Sequence, residues 1–172
     1  RAGVPVVALV GYTNAGKSTL LNRLSGAGVL VEDKLFSTLD PTTRRLDLPG
    51  GRAATFTDTV GFIAKLPHDL VEAFKSTLEE VARADLIVHL VDAAQPDPAG
   101  QMAAVRSVLG EVGAADVPEL LVLNKADLLD EVTRARLSRL FPGVPMISAA
   151  TGEGIDDLLA ATAERLPRPE VE

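Results

Sequence analysis

One stretch, Gly11-Tyr12-Thr13-Asn14-Ala15-Gly16-Lys17-Ser18-Thr19, constrains the fold more than any other. It fits Gly-x-x-x-x-Gly-Lys-Ser/Thr, a loop that cradles phosphate between a strand and a helix. Both neighbours suit that context. Residues 4–10 form an apolar run that reads as a buried strand, and residues 17–24 open a helix with Leu20, Leu21 and Leu24 at helical spacing. Glycines at 11 and 16 let the backbone wrap closely, so that successive N–H groups point at phosphate oxygens. The helix N-terminus adds its partial positive charge. The candidate phosphate-binding residues are therefore Asn14, Ala15, Gly16, Lys17, Ser18 and Thr19. Lys17 carries a full charge to the β- and γ-phosphates, and the Ser18 hydroxyl can hold Mg²⁺.

A phosphate loop of this kind needs a sheet behind it, and the rest of the chain supplies one. Arg45 to Leu48, the turn Pro49-Gly50-Gly51 and Ala53 to Thr57 read as a hairpin. Residues 86–91, 120–123 and 144–147 read as further buried strands. Residues 69–83, 99–112, 130–140 and 155–166 read as helices, the last with Ile155, Leu158, Leu159 and Leu166 on its core side. Strands alternating with helices predict a parallel sheet covered on both faces. The expected fold is α/β, with a six-stranded, mostly parallel sheet, one antiparallel strand and about five helices. Residues 1–166 are expected to form one domain and 167–172 a tail or linker stub.

Composition narrows the function classes. A net charge of −7 opposes nonspecific binding of nucleic acid by the whole surface, so direct DNA binding is not expected. The apolar runs fall far short of the ~18 residues that a membrane span needs. With no cysteine there is no disulfide and no thiolate metal site. Arg1 rather than Met opens the sequence, and we expect a piece of a longer protein.

Three further motifs follow the phosphate loop in order. Asp58-Thr59-Val60-Gly61 closes the second hairpin strand. An Asp58 carboxylate there can serve the Mg²⁺ shell, and the Gly61 N–H can meet a γ-phosphate where no side chain would fit. Asn124-Lys125-Ala126-Asp127 ends a strand, where ligands bind in such sheets. A carboxylate at Asp127 matches the N1–H and 2-amino donors of guanine. Adenine offers no such pair, and sites built on hydrogen bonds of this kind discriminate by roughly 10⁴-fold or more. The Lys125 stem can lie over the base, and Asn124 would brace neighbouring loops. Finally, Ser148-Ala149-Ala150 follows the last strand, and the Ala149 N–H could donate to guanine O6. The loop around Phe36-Ser37-Thr38-Leu39-Asp40-Pro41-Thr42-Thr43 must supply the hydroxyl that senses the γ-phosphate, and the residues alone leave Thr38, Thr42 and Thr43 in competition.

The complete set resembles the G domain of translation-factor-class GTPases, over essentially the whole chain. The phosphate loop, Leu35-Phe36-Ser37-Thr38-Leu39-Asp40-Pro41-Thr42-Thr43-Arg44, Asp58-Thr59-Val60-Gly61-Phe62-Ile63 and Leu66-Pro67-His68-Asp69-Leu70-Val71 together resemble the HflX family, within the Obg–HflX group. The resemblance implies a Ras-like fold, binding of GTP and GDP with Mg²⁺, and GTP hydrolysis. It implies Thr38 as the Mg²⁺-sensing threonine, with Phe36 beside the nucleotide. Ser18, Thr38 and Asp58 would then serve the metal, and Lys17, Thr38 and Gly61 would act on the reacting phosphate. It also implies a cytoplasmic protein with a further N-terminal domain, bound to the large ribosomal subunit and able to split ribosomes. Phe62 stands where Ras-like enzymes carry a water-orienting glutamine. A phenyl ring cannot orient water, so slow unassisted hydrolysis is expected. Asn14 resembles the asparagine of GTPases that hold K⁺ beside the phosphates. Two other readings belong to different classes. One is the cytosolic G domain of a membrane iron transporter, against which the Thr38–Thr42 and Leu66–Leu70 segments speak. The other is a GTP-binding module without significant turnover. His89, inside an apolar run, reads as a core residue, and His68 as a weak candidate for a general base.

Overall fold

The computed structural model describes residues 4–12, 15–25, 42–58 and 75–167. Its elements run β1 (Val6–Gly11), α1 (Lys17–Ser25), β2 (Thr42–Leu48), β3 (Arg52–Asp58), α2 (Lys75–Ala82), β4 (Leu86–Asp92), α3 (Pro98–Glu111), β5 (Glu119–Asn124), α4 (Glu131–Leu140) and α5 (Ile155–Arg165). A short 3₁₀ turn, Ala126–Leu128, follows β5. The strands lie in the order β2-β3-β1-β4-β5. Only β2 and β3 pair antiparallel, with Leu46 opposite Ala54. The remaining pairs are parallel, and β1 sits at the centre with Val7 beside Phe56 on one side and Leu86 on the other.

The apolar runs become central strands because both of their faces are covered. Val7 and Leu9 point to one side, where they join Leu20, Leu21, Phe56, Leu86, Val88, Leu90 and Leu158 under α1 and α5. Ala8 and Val10 point to the other, where they join Val81, Ile87, Val105 and Leu109 under α2 and α3. This alternation is the two-residue period of a strand. Leu9 has no exposed surface, and truncating such a leucine to alanine costs about 2–5 kcal/mol. The edge strand β2 instead exposes Thr43, Arg45 and Asp47, and its two charges discourage edge-to-edge pairing.

Helix boundaries follow capping chemistry. Asp97 accepts from the Gly100 N–H at 3.1 Å, and Pro98 occupies the first turn of α3. Asp130 accepts from the Thr133 N–H at 2.7 Å at the start of α4, and that bond holds its carboxyl below the usual aspartate value. At the far end of α5, the Arg52 guanidinium donates to the carbonyls of Ala163, Leu166 and Pro167. It thereby satisfies acceptors that a helix C-terminus leaves over.

The sheet has five strands among the described residues, not the six expected. Residues 144–147 contribute only a parallel bridge between Leu123 and Met146. The Leu123 N–H donates to the Pro145 carbonyl at 2.9 Å, and the Ile147 N–H to the Leu123 carbonyl at 2.8 Å. Pro145 has no N–H to extend this ladder, and the Ser148 N–H turns away to the Glu153 carbonyl. Ile147 is nevertheless fully buried, so the segment fills the place of a strand with only these two hydrogen bonds to β5. The hairpin and the last helix stand where the sequence puts them. Of the helix expected over 69–83, residues 75–83 are described, and α2 covers 75–82 of them. His89 is fully buried, and its Nδ1 lies 2.6 Å from Glu119 Oε2.

Candidate functional site

The phosphate half of the site is built where β1 turns into α1. Gly11 ends β1 against the neighbouring β4 backbone, and a Cβ there would come 2.7 Å from the Leu90 carbonyl oxygen. Gly16 has φ +102°, and a Cβ there would stand 2.4 Å from Asn124 Nδ2. Both positions require glycine for contact, and the second also for conformation. The Leu20 N–H donates to the Gly16 carbonyl at 2.9 Å, so α1 starts directly beneath the loop. Lys17 is 9% exposed. Burial pushes its ammonium below the usual lysine pKa, and the Asp58 carboxylate opposes that shift. A buried cation of this kind gains from an incoming anion.

Parallel pairing of β1 with β3 places Asp58 beside Leu9, at the same end of the sheet as the loop. Asp58 is 2% exposed, and the Ser18 hydroxyl donates to its Oδ2 at 3.4 Å. A hydroxyl and a carboxylate are hard oxygen donors, the chemistry that suits Mg²⁺. Among the described residues no group of three or more His, Cys, Asp or Glu converges on one point. A metal at Ser18 and Asp58 would therefore draw further donors from phosphate and water, as Mg²⁺ usually does.

The base half is built where β5 ends, and Asn124 joins it to the phosphate half. This side chain is 2% exposed. Its Nδ2 donates to the Ala15 carbonyl at 2.9 Å, and its Oδ1 accepts from the Ala149 N–H at 3.0 Å. Lys125 follows with φ 69°, the one left-handed non-glycine among the described residues. Such strain concentrates at functional sites. Its Nζ lies 3.0 Å from Asp92 Oδ2, at the end of the adjacent strand β4. Asp127 is exposed, and its Oδ1 accepts from the Ser148 hydroxyl at 2.8 Å. Ser148 is itself fully buried and accepts from the Thr151 N–H at 3.1 Å, so the carboxylate is held from behind by a fixed donor.

Ala15, Gly16, Lys17, Ser18, Asp58, Asn124, Lys125, Asp127, Ser148, Ala149 and Ala150 thus gather at one end of the sheet, and Thr19 lies one residue along α1. Thr13, Asn14, Phe36, Thr38, Gly61, Phe62 and His68 lie outside the described residues. One expectation changes. The Ala149 N–H is engaged by Asn124 Oδ1, whereas the Ala150 N–H meets no protein acceptor among the described residues. Two arginines also belong to this site although no motif contains them. Arg23 of α1 donates to the carbonyls of Ala149 and Ala150. Arg134 of α4 donates to the Ala126 carbonyl at 2.8 Å and pairs with Glu153 at 2.6 Å. A basic residue near a glycine-bearing loop is too common a pattern to single either out from sequence. Asp92 had a better signal, since it ends an apolar run and, like Asp58, stands at the last position of its strand.

Residues 6–125 match the family model described as "50S ribosome-binding GTPase". The chain belongs to that family. Two curated relatives, each named "GTPase HflX", sharpen the placement. The one from Caldanaerobacter subterraneus subsp. tengcongensis is 55% identical over 163 residues, which is 95% of this chain and 37% of the relative. The one from Escherichia coli is 49% identical over 169 residues, which is 96% of this chain and 39% of the relative. The chain spans under two fifths of the length of these relatives. Nearly the whole chain is thus similar to one stretch of these HflX relatives.

Solved structures place the same fold more distantly. Era in complex with MgGDPNP and nucleotides of 16S ribosomal RNA superimposes with a TM-score of 0.71 at 27% identity, covering 100% of this chain and 60% of that one. The FeoB G-domain from Methanococcus jannaschii gives 0.65 at 26% identity, covering 94% of this chain and 97% of that one. No helix among the described residues is long and apolar enough to cross a membrane.

Proposed function

We propose that this domain is a slow GTP-driven switch, holding GTP or GDP with Mg²⁺, whose hydrolysis is accelerated by the large ribosomal subunit in the cytoplasm. One observation carries the reading. The buried Asn124 amide ties the phosphate loop to the base loop, so both ends of a guanine nucleotide are gripped by one frame. In this reading Lys17 and the loop amides stabilise the β- and γ-phosphates. Ser18, Asp58 and Thr38 hold the metal, and Asp127 reads the N1–H and 2-amino group of guanine. Mg²⁺ at that position supplies charge neutralisation on the β- and γ-phosphate oxygens. Gly61 and Thr38 meet the γ-phosphate from loops that relax after hydrolysis. Phe62 offers no group to orient water, so unassisted turnover falls at or below the ~10⁻⁴ s⁻¹ scale of an unstimulated switch. A K⁺ held at Asn14 is a further element of the proposal, as charge stabilisation beside the phosphates.

The test is single-turnover GTP hydrolysis in K⁺ and in Na⁺ buffer, with and without purified large ribosomal subunits, for this chain and for the full-length protein. Stimulation of this chain places the activating contact on the domain itself. Stimulation of the full-length protein alone places it on the remainder. Absence of both rejects the ribosomal partner, and equal rates in K⁺ and Na⁺ remove the K⁺ site. Rapid turnover by the isolated domain would reject the role given to Phe62. The FeoB G-domain keeps an iron-transporter reading in view, because its fold covers nearly the same residues. The identity to HflX, about twice that to FeoB, favours the ribosomal reading.

A further inference from the structure

Arg23 lies on α1, the helix that begins with the phosphate-binding Lys17 and Ser18. It reaches a loop more than a hundred residues away in sequence. Its Nε donates to the Ala149 carbonyl at 2.6 Å and its Nη2 to the Ala150 carbonyl at 2.7 Å. The guanidinium also has a seat made for it. Gly152 has φ +95°, and a Cβ there would approach Arg23 Nη1 to 3.1 Å. Gly152 is fixed in turn, its N–H donating to the Ser148 carbonyl at 2.8 Å. A planar fork of donors suits two adjacent carbonyls as no lysine can.

This grip has a geometric consequence. The Ala149 carbonyl and the Ala150 N–H belong to one trans peptide plane and point in opposite directions. Holding the carbonyl toward α1 therefore aims the Ala150 N–H away from α1. The neighbouring Ala149 N–H is already taken by Asn124 Oδ1. The amide left to meet the O6 acceptor of a base whose N1–H and 2-amino group face Asp127 is that of Ala150.

We propose that Arg23 is a positioning residue for guanine recognition, which aims the Ala150 N–H at O6 and links the base loop to the phosphate-binding helix. The proposal rests on the guanine-binding reading above and adds to it the residue that orients the O6 donor. Its signature is selective. Losing Arg23 weakens contact with O6 but leaves the Asp127 contacts with N1–H and the 2-amino group in place.

The experiment compares three nucleotides on the wild-type chain, Arg23→Ala and Arg23→Lys, by equilibrium binding. GDP carries all three recognition groups. 6-Thio-GDP replaces O6 by sulfur, a poor acceptor, and inosine diphosphate lacks the 2-amino group. In Arg23→Ala, GDP affinity is expected to fall about three- to tenfold, the worth of one hydrogen bond. The preference for GDP over 6-thio-GDP falls by the same factor, whereas the preference for GDP over inosine diphosphate is retained. Arg23→Lys, which can reach one carbonyl, recovers part of the lost preference. If both preferences stay at their wild-type values, or fall together, Arg23 serves only to hold the fold and the proposal is overturned. Should Arg23→Ala fail to fold, Arg23→Gln carries the same ratio test. A wild-type chain that binds ADP as well as GDP would reject the guanine reading itself, an outcome distinct from failure of the Arg23 role.

Discussion

Replacing Asn124 by alanine should destabilise the protein even with no nucleotide present. The side chain satisfies two backbone groups, the Ala15 carbonyl and the Ala149 N–H, on residues that are 1% and 3% exposed. Truncation strands both. Each buried orphan costs about 1–3 kcal/mol, so the pair is worth about 2–6 kcal/mol. The vacated amide leaves polar room that a water can enter, which places the expected loss at about 2–4 kcal/mol. Against a total stability of roughly 5–15 kcal/mol this is a large fraction. Urea unfolding of the nucleotide-free protein measures it as a midpoint lowered by roughly 1–2 M at unchanged slope. Asn124→Asp is the sharper variant. One carboxylate oxygen can still accept from Ala149, but the other then faces the Ala15 carbonyl with no proton between them. This variant should be less stable than Asn124→Ala at pH 7 and should regain stability on acidification, because a protonated carboxyl restores a donor. A loss under about 0.5 kcal/mol for Asn124→Ala, or an aspartate variant as stable as wild type at pH 7, would refute the assignment of Asn124 as the tie between the two loops.

Gly16→Ala should abolish binding of a fluorescent GDP, because its Cβ would stand 2.4 Å from the same buried Asn124 amide, at φ +102°. Retained binding would mean that the loop and Asn124 can separate without loss. Asp127→Asn should lower GDP affinity by about 100-fold or more and shift preference toward xanthosine diphosphate, whose 2-oxo group accepts from the new amide. Competition binding with the two diphosphates reads the exchange, and an unchanged preference would remove Asp127 from base recognition. Glu119 gives the pH prediction. Burial pushes its carboxyl up, but hydrogen bonds from His89 and Arg106 outweigh burial and hold it below its ordinary value of 4.5. The folded pKa lies below the unfolded one, so its stabilising contribution is present above pH 4.5 and is lost as pH falls through the folded value. Glu119→Gln should therefore flatten the decline of stability below that pH in urea titrations, and an unchanged acid limb would show the cluster to be inert.

The parts of this site that were legible in sequence are those where chemistry forbids substitutes. Gly11 and Gly16 stand where a Cβ would strike a neighbour. Asp58 ends the second strand of a hairpin and Asn124 ends an apolar run, and these patterns fix which end of the sheet each reaches. The core was legible for the same reason, since Val7, Leu9, Leu86 and Leu90 alternate with residues buried on the opposite face. Contacts between side chains and distant carbonyls were not legible. Nothing in the residues around Arg23 says that it will meet Ala149 and Ala150, because a carbonyl is present at every position and carries no sequence signal. The shortened sixth strand was hidden similarly. Met146 and Ile147 have strand-like character, and only the pairing pattern reveals that Pro145 and the turn at Ser148 leave one bridge.

These distant contacts also hold the loops of the candidate site to one another. Asn124 ties the phosphate loop to β5 and the base loop, Arg23 ties the phosphate-binding helix to the base loop, and Arg134 ties the turn after β5 to Glu153 beyond that loop. The three ties use different donors and leave from different elements, so losing one does not release the others. Their strengths differ in kind. Asn124 is buried, and its loss exposes the chain to the full cost of stranded partners. Arg134 and Glu153 meet at the surface, where solvent screens the pair and its contribution to stability is small. A perturbation series should therefore divide. Asn124 variants lower the stability of the empty protein, Arg23 variants narrow the preference for GDP over 6-thio-GDP, and Arg134→Ala changes either only slightly. An Arg134 variant as damaging as Asn124→Ala would show that burial is not what ranks these ties.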